Sequence, residues 1–241
     1  MSFIDNLRTR FNNGVNNEDV GSIFNALQFP SHLGSHYFED DFYTFTAAEW
    51  TETDVQGVNT VASVDGDGGI VTMLLAGADN DEVALQHVAA GVSSESYLFD
   101  PDKRFFIEFL GTLSEVLLSE ILIGISITDA TLLPAPTDGI YFHKAEAAGL
   151  VTLDARKNDL EVSGSVGTIV DATAFRLQAF YDGQGSDGRL YGALDGAVGS
   201  FTEPDTTFPD DELLTVSFAV RAGEAAAKTL TLDRIVVIQE R

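Results

Sequence analysis

Glu52 and Asp54 occupy alternate positions, so on a β-strand both carboxyls face one side. A glycoside hydrolase uses two carboxyls about 5–9 Å apart across a sugar. The E-x-D-x-x-E spacing that would complete such a site has Gly57 in place of its last acid, and Trp50 is the one Trp available as a sugar platform. With 38 Asp and Glu in the chain, one E-x-D arises by chance. The pair therefore reads as a solvated strand face. Two Asp-rich loops, Asp65-Gly66-Asp67-Gly68 and Asp79-Asn80-Asp81, offer the clustered oxygens a calcium ion needs. Neither completes an EF-hand, because Gly69 sits where a third ligand belongs. Asp is also common in turns simply because it caps its own backbone.

The four His are His32, His36, His87 and His143. His32 and His36 have the i, i+4 spacing of a helical metal pair, but Pro30 and Gly34 argue against a helix there. Ser165 lies in Gly164-Ser165-Val166-Gly167, which lacks the G-x-S-x-G elbow of a serine nucleophile and reads as a Gly/Ser turn. No phosphate-binding or dinucleotide fingerprint is present. The expectation is a protein that is not an enzyme and takes no cofactor or metal.

Charge narrows the partners. Thirteen Lys and Arg against 38 acids give a formal net charge of −25. Duplex binding needs several cations to displace counterions, so no nucleic-acid partner is expected. An anionic membrane surface repels the chain for the same reason. The chain has no Cys, which removes thiolate metal sites and a thiol nucleophile. No apolar run has signal-peptide or membrane-spanning length, so a soluble protein is expected.

The elements that must hold these residues differ along the chain. From Tyr37 onward apolar residues alternate in short runs: Ile70 to Leu75, Phe105 to Leu110, Ile121 to Thr128, Val151 to Arg156, Phe175 to Asp182, Leu214 to Arg221 and Thr229 to Gln239. Asp195-Gly196 between two such runs is a strong hairpin signal. About a dozen short strands separated by turns, with few helix-period segments, argue an antiparallel β-sandwich. Residues 37–241 form that domain, and residues 1–36 form an N-terminal arm, helical or extended. In the arm Phe3, Ile4, Leu7 and Phe11 share one helical face with Arg8 and Arg10 beside it. The first 17 residues carry these two Arg and Asp5, together with Glu and Asp only from position 18 on, so the tip is mildly basic. Such an arm either docks on the sandwich's own sheet or leaves it to grip a partner.

The final third carries a resemblance. Phe208-Pro209-Asp210-Asp211-Glu212-Leu213-Leu214-Thr215 leads into Val216 to Arg221, followed by Lys228-Thr229-Leu230-Thr231-Leu232-Asp233 and Val236 to Arg241. Earlier come Phe42, Ala78-Asp79-Asn80-Asp81, Ile123-Gly124-Ile125 with Thr128-Asp129, Asp138-Gly139-Ile140-Tyr141-Phe142 and Leu194-Asp195-Gly196. In this order they resemble head decoration, or cement, proteins of tailed bacteriophages, over roughly Tyr37 to Arg241. The resemblance implies a concanavalin- or laminin-G-like jelly roll. It also implies a virion structural protein, often a homotrimer, on the outer surface of a major capsid protein lattice of the HK97-like type. Such a protein resides in the host cytoplasm during assembly and stabilises the head. On this reading Phe3, Ile4, Leu7 and Phe11 are apolar anchors to the capsid, and Arg8 and Arg10 are charge partners. The alternative is a carbohydrate-binding β-sandwich module on the virion head or tail fibre, with Trp50, Tyr43, Tyr141 and Tyr191 as platforms.

Overall fold

The computed structural model describes residues 35–66, 68–88 and 95–241. The arm residues Phe3, Ile4, Leu7, Arg8, Arg10 and Phe11, and also His32 and Asp67, lie outside them. Among the described residues fifteen antiparallel strands form two sheets. Sheet I is eight-stranded. In order it holds β13 (Ala197–Thr202), β12 (Leu190–Leu194), β11 (Ala174–Tyr181), β6 (Phe105–Leu113), β15 (Thr229–Glu240), β4 (Ile70–Leu74) and β3 (Thr60–Val64). Its eighth strand, β1 (Ser35–Asp40), pairs with the second half of β15, while β4 pairs with the first half. Sheet II is seven-stranded: β10 (Leu160–Thr168), β9 (Leu150–Lys157), β8 (Gly139–Lys144), β7 (Ser119–Ser126), β14 (Thr215–Ala222), β5 (Glu82–Gln86) and β2 (Thr51–Val55).

Period-two patterning builds the core. In β14, Val216, Phe218 and Val220 turn inward, and Ser217, Ala219 and Arg221 turn outward. In β11 the inward set is Phe175, Leu177, Ala179 and Tyr181. These meet Ile121, Ile123 and Ile125 of β7 and Phe105, Ile107 and Phe109 of β6 in one continuous cluster. Asp195 and Gly196 both have positive φ, 52° and 81°, in the β12–β13 hairpin their types predict. The Gly164-to-Gly167 segment is not a turn. It lies inside β10, where the register shifts between Ser165 and Gly167. The reason is close approach: β13 packs against this bulge, and a Cβ on Gly199 would stand 2.2 Å from the Ser165 carbonyl oxygen. The two sheet edges meet there. No helix among the described residues is long and apolar enough to cross a membrane.

Candidate functional site

The outer face of sheet II collects the acids and bases. Cross-strand register places Glu82 opposite Arg221, and Arg221 opposite Glu120. Leu122, two residues on from Glu120, is opposite His143, and Tyr141 is opposite Asp154, which is opposite Ser163. Arg221 donates to Glu120 and lies 3.8 Å from Glu82. His143 sits between two carboxylates, with Nε2 2.9 Å from Glu120 Oε1 and Nδ1 3.7 Å from Asp154 Oδ2. Glu82, Glu120 and Asp154 are all buried. Burial pushes Asp154 up to about 6, against the opposing Ser163 hydrogen bond. Burial likewise raises Glu82, against the pull of Arg221. Burial would raise Glu120 as well, but the His143 hydrogen bond and the Arg221 charge outweigh it and hold the carboxyl below its usual range. One environment thus drives neighbouring carboxyls in opposite directions, a pattern that also occurs in structural ion-pair networks.

The rest of this face is covered by the chain itself. Residues 127–138 cross it, and Leu132 and Leu133 pack on Ala84, Leu122, Tyr141 and Ala219. Gln86 pins the segment by donating to Ile127 O at 3.1 Å and accepting from Asp129 N at 3.1 Å. Asp138 pins its far end by accepting from Asn158 N at 2.9 Å. Burying two Leu side chains stabilises this cover by about 1.5–3 kcal/mol each. A polysaccharide cannot lie across the middle of sheet II while the cover is in place.

The outer face of sheet I carries an aromatic row. The row Phe201, Tyr191, Phe180, Phe106, Ile238 and Tyr37 runs in register across β13, β12, β11, β6, β15 and β1. At its β12–β13 end the rings of Tyr191 and Phe201 are 5.8 Å apart, and Phe201 is 48% exposed. The Arg189 guanidinium lies 4.8 Å from the Phe201 ring, and its Nε donates to Glu203 at 3.3 Å. This end joins an accessible aromatic surface to a cation and a carboxylate.

The sequence-derived candidates scatter. Glu52 and Asp54 are exposed on the edge strand β2, opposite Leu85 and Val83. They share the side of the sheet that carries the core, so they are absent from the charged row on the outer face. Burial and the neighbouring Asp54 both raise Glu52. Two of the expected sugar platforms are corrected. Trp50 is 4% exposed, wedged against His87, Phe42 and Phe218. Tyr141 is fully buried beneath Leu132 and Leu133. Trp50 fills the core beside the edge strand β2, and Tyr141 fills the layer between sheet II and its cover. Tyr43, 78% exposed, and Tyr191 remain. Asp81 is buried, and its carboxylate accepts from Ala78 N at 2.6 Å, which makes it a turn cap. His36 stacks on Tyr97 with centroids 4.4 Å apart, and His87 packs on Phe38. Among the described residues no group of three or more His, Cys, Asp or Glu could hold a metal ion. Sequence reasoning missed the row from Glu82 to Asp154, Phe201 and Arg189. Strand alternation marks their side of a sheet, but the register that joins them leaves no local signal.

Two packed antiparallel sheets with this topology define a lectin-like jelly roll, and solved structures place the chain among such folds. The Emp47p carbohydrate recognition domain superposes with TM-score 0.59 at 12% identity, over 88% of this chain and 100% of that one. Peanut lectin gives TM-score 0.57 at 10% identity, over 85% and 97%. An endo-1,3-beta-glucanase from Streptomyces sioyaensis gives 0.58 at 9% identity, over 89% and 99%. The jelly-roll expectation holds at the level of fold. No protein-family model matches the chain, and no curated protein sequence matches it.

Proposed function

We propose that this protein is a carbohydrate-binding β-sandwich module that holds sugar against Tyr191 and Phe201 on the β12–β13 hairpin. The observation that carries the reading is exposed Phe201 beside the half-buried Tyr191, flanked by Arg189 and Glu203. The C–H face of a pyranose stacks on an aromatic ring, whose π face is negative. Hydroxyls then find a donor in Arg189 and an acceptor in Glu203. Among the similar folds are a carbohydrate recognition domain and a lectin, which supports the same reading. The site is a shallow face, so single-site affinity is weak and multiple copies act through avidity. The covered face of sheet II and the E-x-D pair on an edge strand support binding without hydrolysis.

The test is a glycan array, followed by titration of the best saccharide. Phe201→Ala and Tyr191→Ala should each weaken binding at least tenfold (~1.4 kcal/mol). Phe201→Ala should leave the melting temperature nearly unchanged because the ring is half exposed. Affinity equal to the natural protein's in both variants, or no saccharide bound, would overturn the reading. Binding to expanded phage heads by a protein that binds no saccharide would replace it with the decoration role. That role rests on sequence resemblance and on arm residues outside the described structure.

A further inference from the structure

Phe201 stands where the edges of the two sheets meet, so its surroundings include sheet II. Gly164 of β10 lies against the residues on either side of Phe201. A Cβ on Gly164 would stand 2.8 Å from Thr202 Cγ2 and 3.1 Å from Ser200 Oγ. Ser200 Oγ also donates to Ser165 O at 3.0 Å. Phe201 is thus level with Gly164, and the two neighbours of that glycine, Ser163 and Ser165, flank it across the seam. Strand alternation fixes their side. Val162 and Val166 pack on the core, so Ser163 and Ser165 point outward, and both are exposed. The outer faces of β13 and β10 therefore form one surface.

Beyond the seam this surface is polar and braced from below. Ser163 Oγ donates to Asp154 Oδ1. Thr152 Oγ1 donates to the other oxygen of that carboxylate at 3.2 Å. Asp154 is 2% exposed, so it serves as a buried anchor that orients hydroxyls on β9 and β10. With its proton committed to Asp154, Ser163 Oγ keeps lone pairs for an incoming hydroxyl. Glu161, the next outward residue on β10, is an acceptor. Arg156 stands opposite it on β9 and donates to it at 3.3 Å. The cover over sheet II reaches Tyr141 on β8 and leaves β10 exposed. From β13 to β9 is two strand spacings, about 10 Å, a path with room for more than one sugar ring.

We infer that the hairpin site continues across the seam and takes a linear, neutral oligosaccharide rather than a single sugar. One pyranose stacks on Phe201 beside Tyr191. The following units lie over Ser165 and Ser163, where their hydroxyls donate to Ser163 and Glu161 and accept from Arg156. The ligand is neutral because Glu203 and Glu161 stand along its path on a chain of net charge −25, which repels uronate and sulfate groups. This assignment rests on the sugar-binding reading of the hairpin and adds a second half to the site, contributed by the other sheet.

The test titrates the full chain with the size series of the best glycan from the array, monosaccharide to hexasaccharide, and follows backbone amide chemical shifts. Affinity should rise at least about tenfold from the monosaccharide to the tetrasaccharide. The amides of Ser163 and Ser165 should shift with the tetrasaccharide and stay in place with the monosaccharide. Ser163→Ala and Ser165→Glu should each weaken the tetrasaccharide at least about fivefold, the worth of one hydrogen bond, and leave the monosaccharide unaffected. Phe201→Ala should weaken both ligands. Ser165→Glu carries the test alone if loss of the Ser163 donor to buried Asp154 unfolds the other variant. Equal affinity for the two ligands, or a tetrasaccharide held as tightly by the variants as by the natural protein, overturns the extension. The hairpin reading then stands as long as Phe201→Ala still weakens binding. A best glycan bearing uronate or sulfate overturns the neutral class. No saccharide bound, or no effect of Phe201→Ala, overturns the hairpin reading and this assignment with it.

Discussion

On the outer face of sheet II, β5, β14, β7, β8 and β9 bring Glu82, Arg221, Glu120, His143 and Asp154 side by side. On the outer face of sheet I, β13, β12, β11, β6 and β15 bring Phe201, Tyr191, Phe180, Phe106 and Ile238 side by side. Both rows run across strands, and both back onto the same apolar core. They tolerate change differently. A buried carboxylate keeps its charge only while Arg221 and His143 point at it, because the desolvation cost must be offset by direct pairing. An aromatic row is held by area and shape, and another apolar side chain of similar volume can replace one of its members. The charged row is therefore a geometric commitment, whereas the aromatic row is an adaptable surface.

The sharpest way to break this contrast is Glu120→Ala. It leaves Arg221 and His143 without their shared acceptor, and the expected loss is about 3–5 kcal/mol in urea unfolding. A loss no larger than an ordinary surface substitution would mean that the row is solvated and the contrast is false. Next comes pH. Burial raises Asp154 to about 6, so the folded state holds its proton more tightly than the unfolded chain does. Its contribution to stability is complete below the unfolded value of about 4 and is lost as pH rises through about 6. Asp154→Asn should then be more stable than the natural protein by about 1–3 kcal/mol near pH 8, and equal to it near pH 3. Glu120 has the opposite sign: its lowered value stabilises above the ordinary carboxylate range and is lost on acidification. Flat urea midpoints from pH 3 to pH 8 in both proteins (a span of about 5 units) would remove the pH argument.

Smaller effects sharpen the other side. Phe180→Leu on the aromatic row should cost less than about 1.5 kcal/mol, since it keeps an apolar side chain in place. Arg189→Ala removes an exposed ion pair with Glu203 and should leave the melting temperature nearly unchanged. A melting-temperature comparison of these two variants with Glu120→Ala checks the whole ranking. If Phe180→Leu is as damaging as Glu120→Ala, the aromatic row is as exacting as the charged one.

Much of the scaffold was legible because it depends on local alternation. Phe105 to Leu110, Phe175 to Asp182, Leu214 to Arg221 and Thr229 to Gln239 became β6, β11, β14 and β15, and Asp195-Gly196 became the tip of a hairpin. The candidate sites were not legible in this way. Glu120 and Arg221 are paired by the β7–β14 register, and nothing within either strand specifies which partner residue it will meet. Trp50 and Tyr141 looked like platforms because large aromatics serve equally as core and as surface. Only the neighbours, Phe218 for one and Leu132 and Leu133 for the other, decide which. The Gly164-to-Gly167 segment misled because glycine marks both a turn and a close approach between strands, and here a second edge strand supplied the approach.

The placement of β15 at the centre of sheet I sets a timetable for synthesis. β1 bonds to it through Asp40 and Ile235, 235 − 40 = 195 residues apart. At about 5–20 residues per second a ribosome exposes β1 for roughly 10–40 s before that partner exists. β3, β4, β6, β11, β12 and β13 wait as well, in two groups that only β15 joins. The nascent chain can bring sheet II close to completion once β14 emerges, while sheet I remains divided. The aromatic side of the molecule is thus the last to be sealed, and it is the side that a chaperone in the producing cell would need to shield.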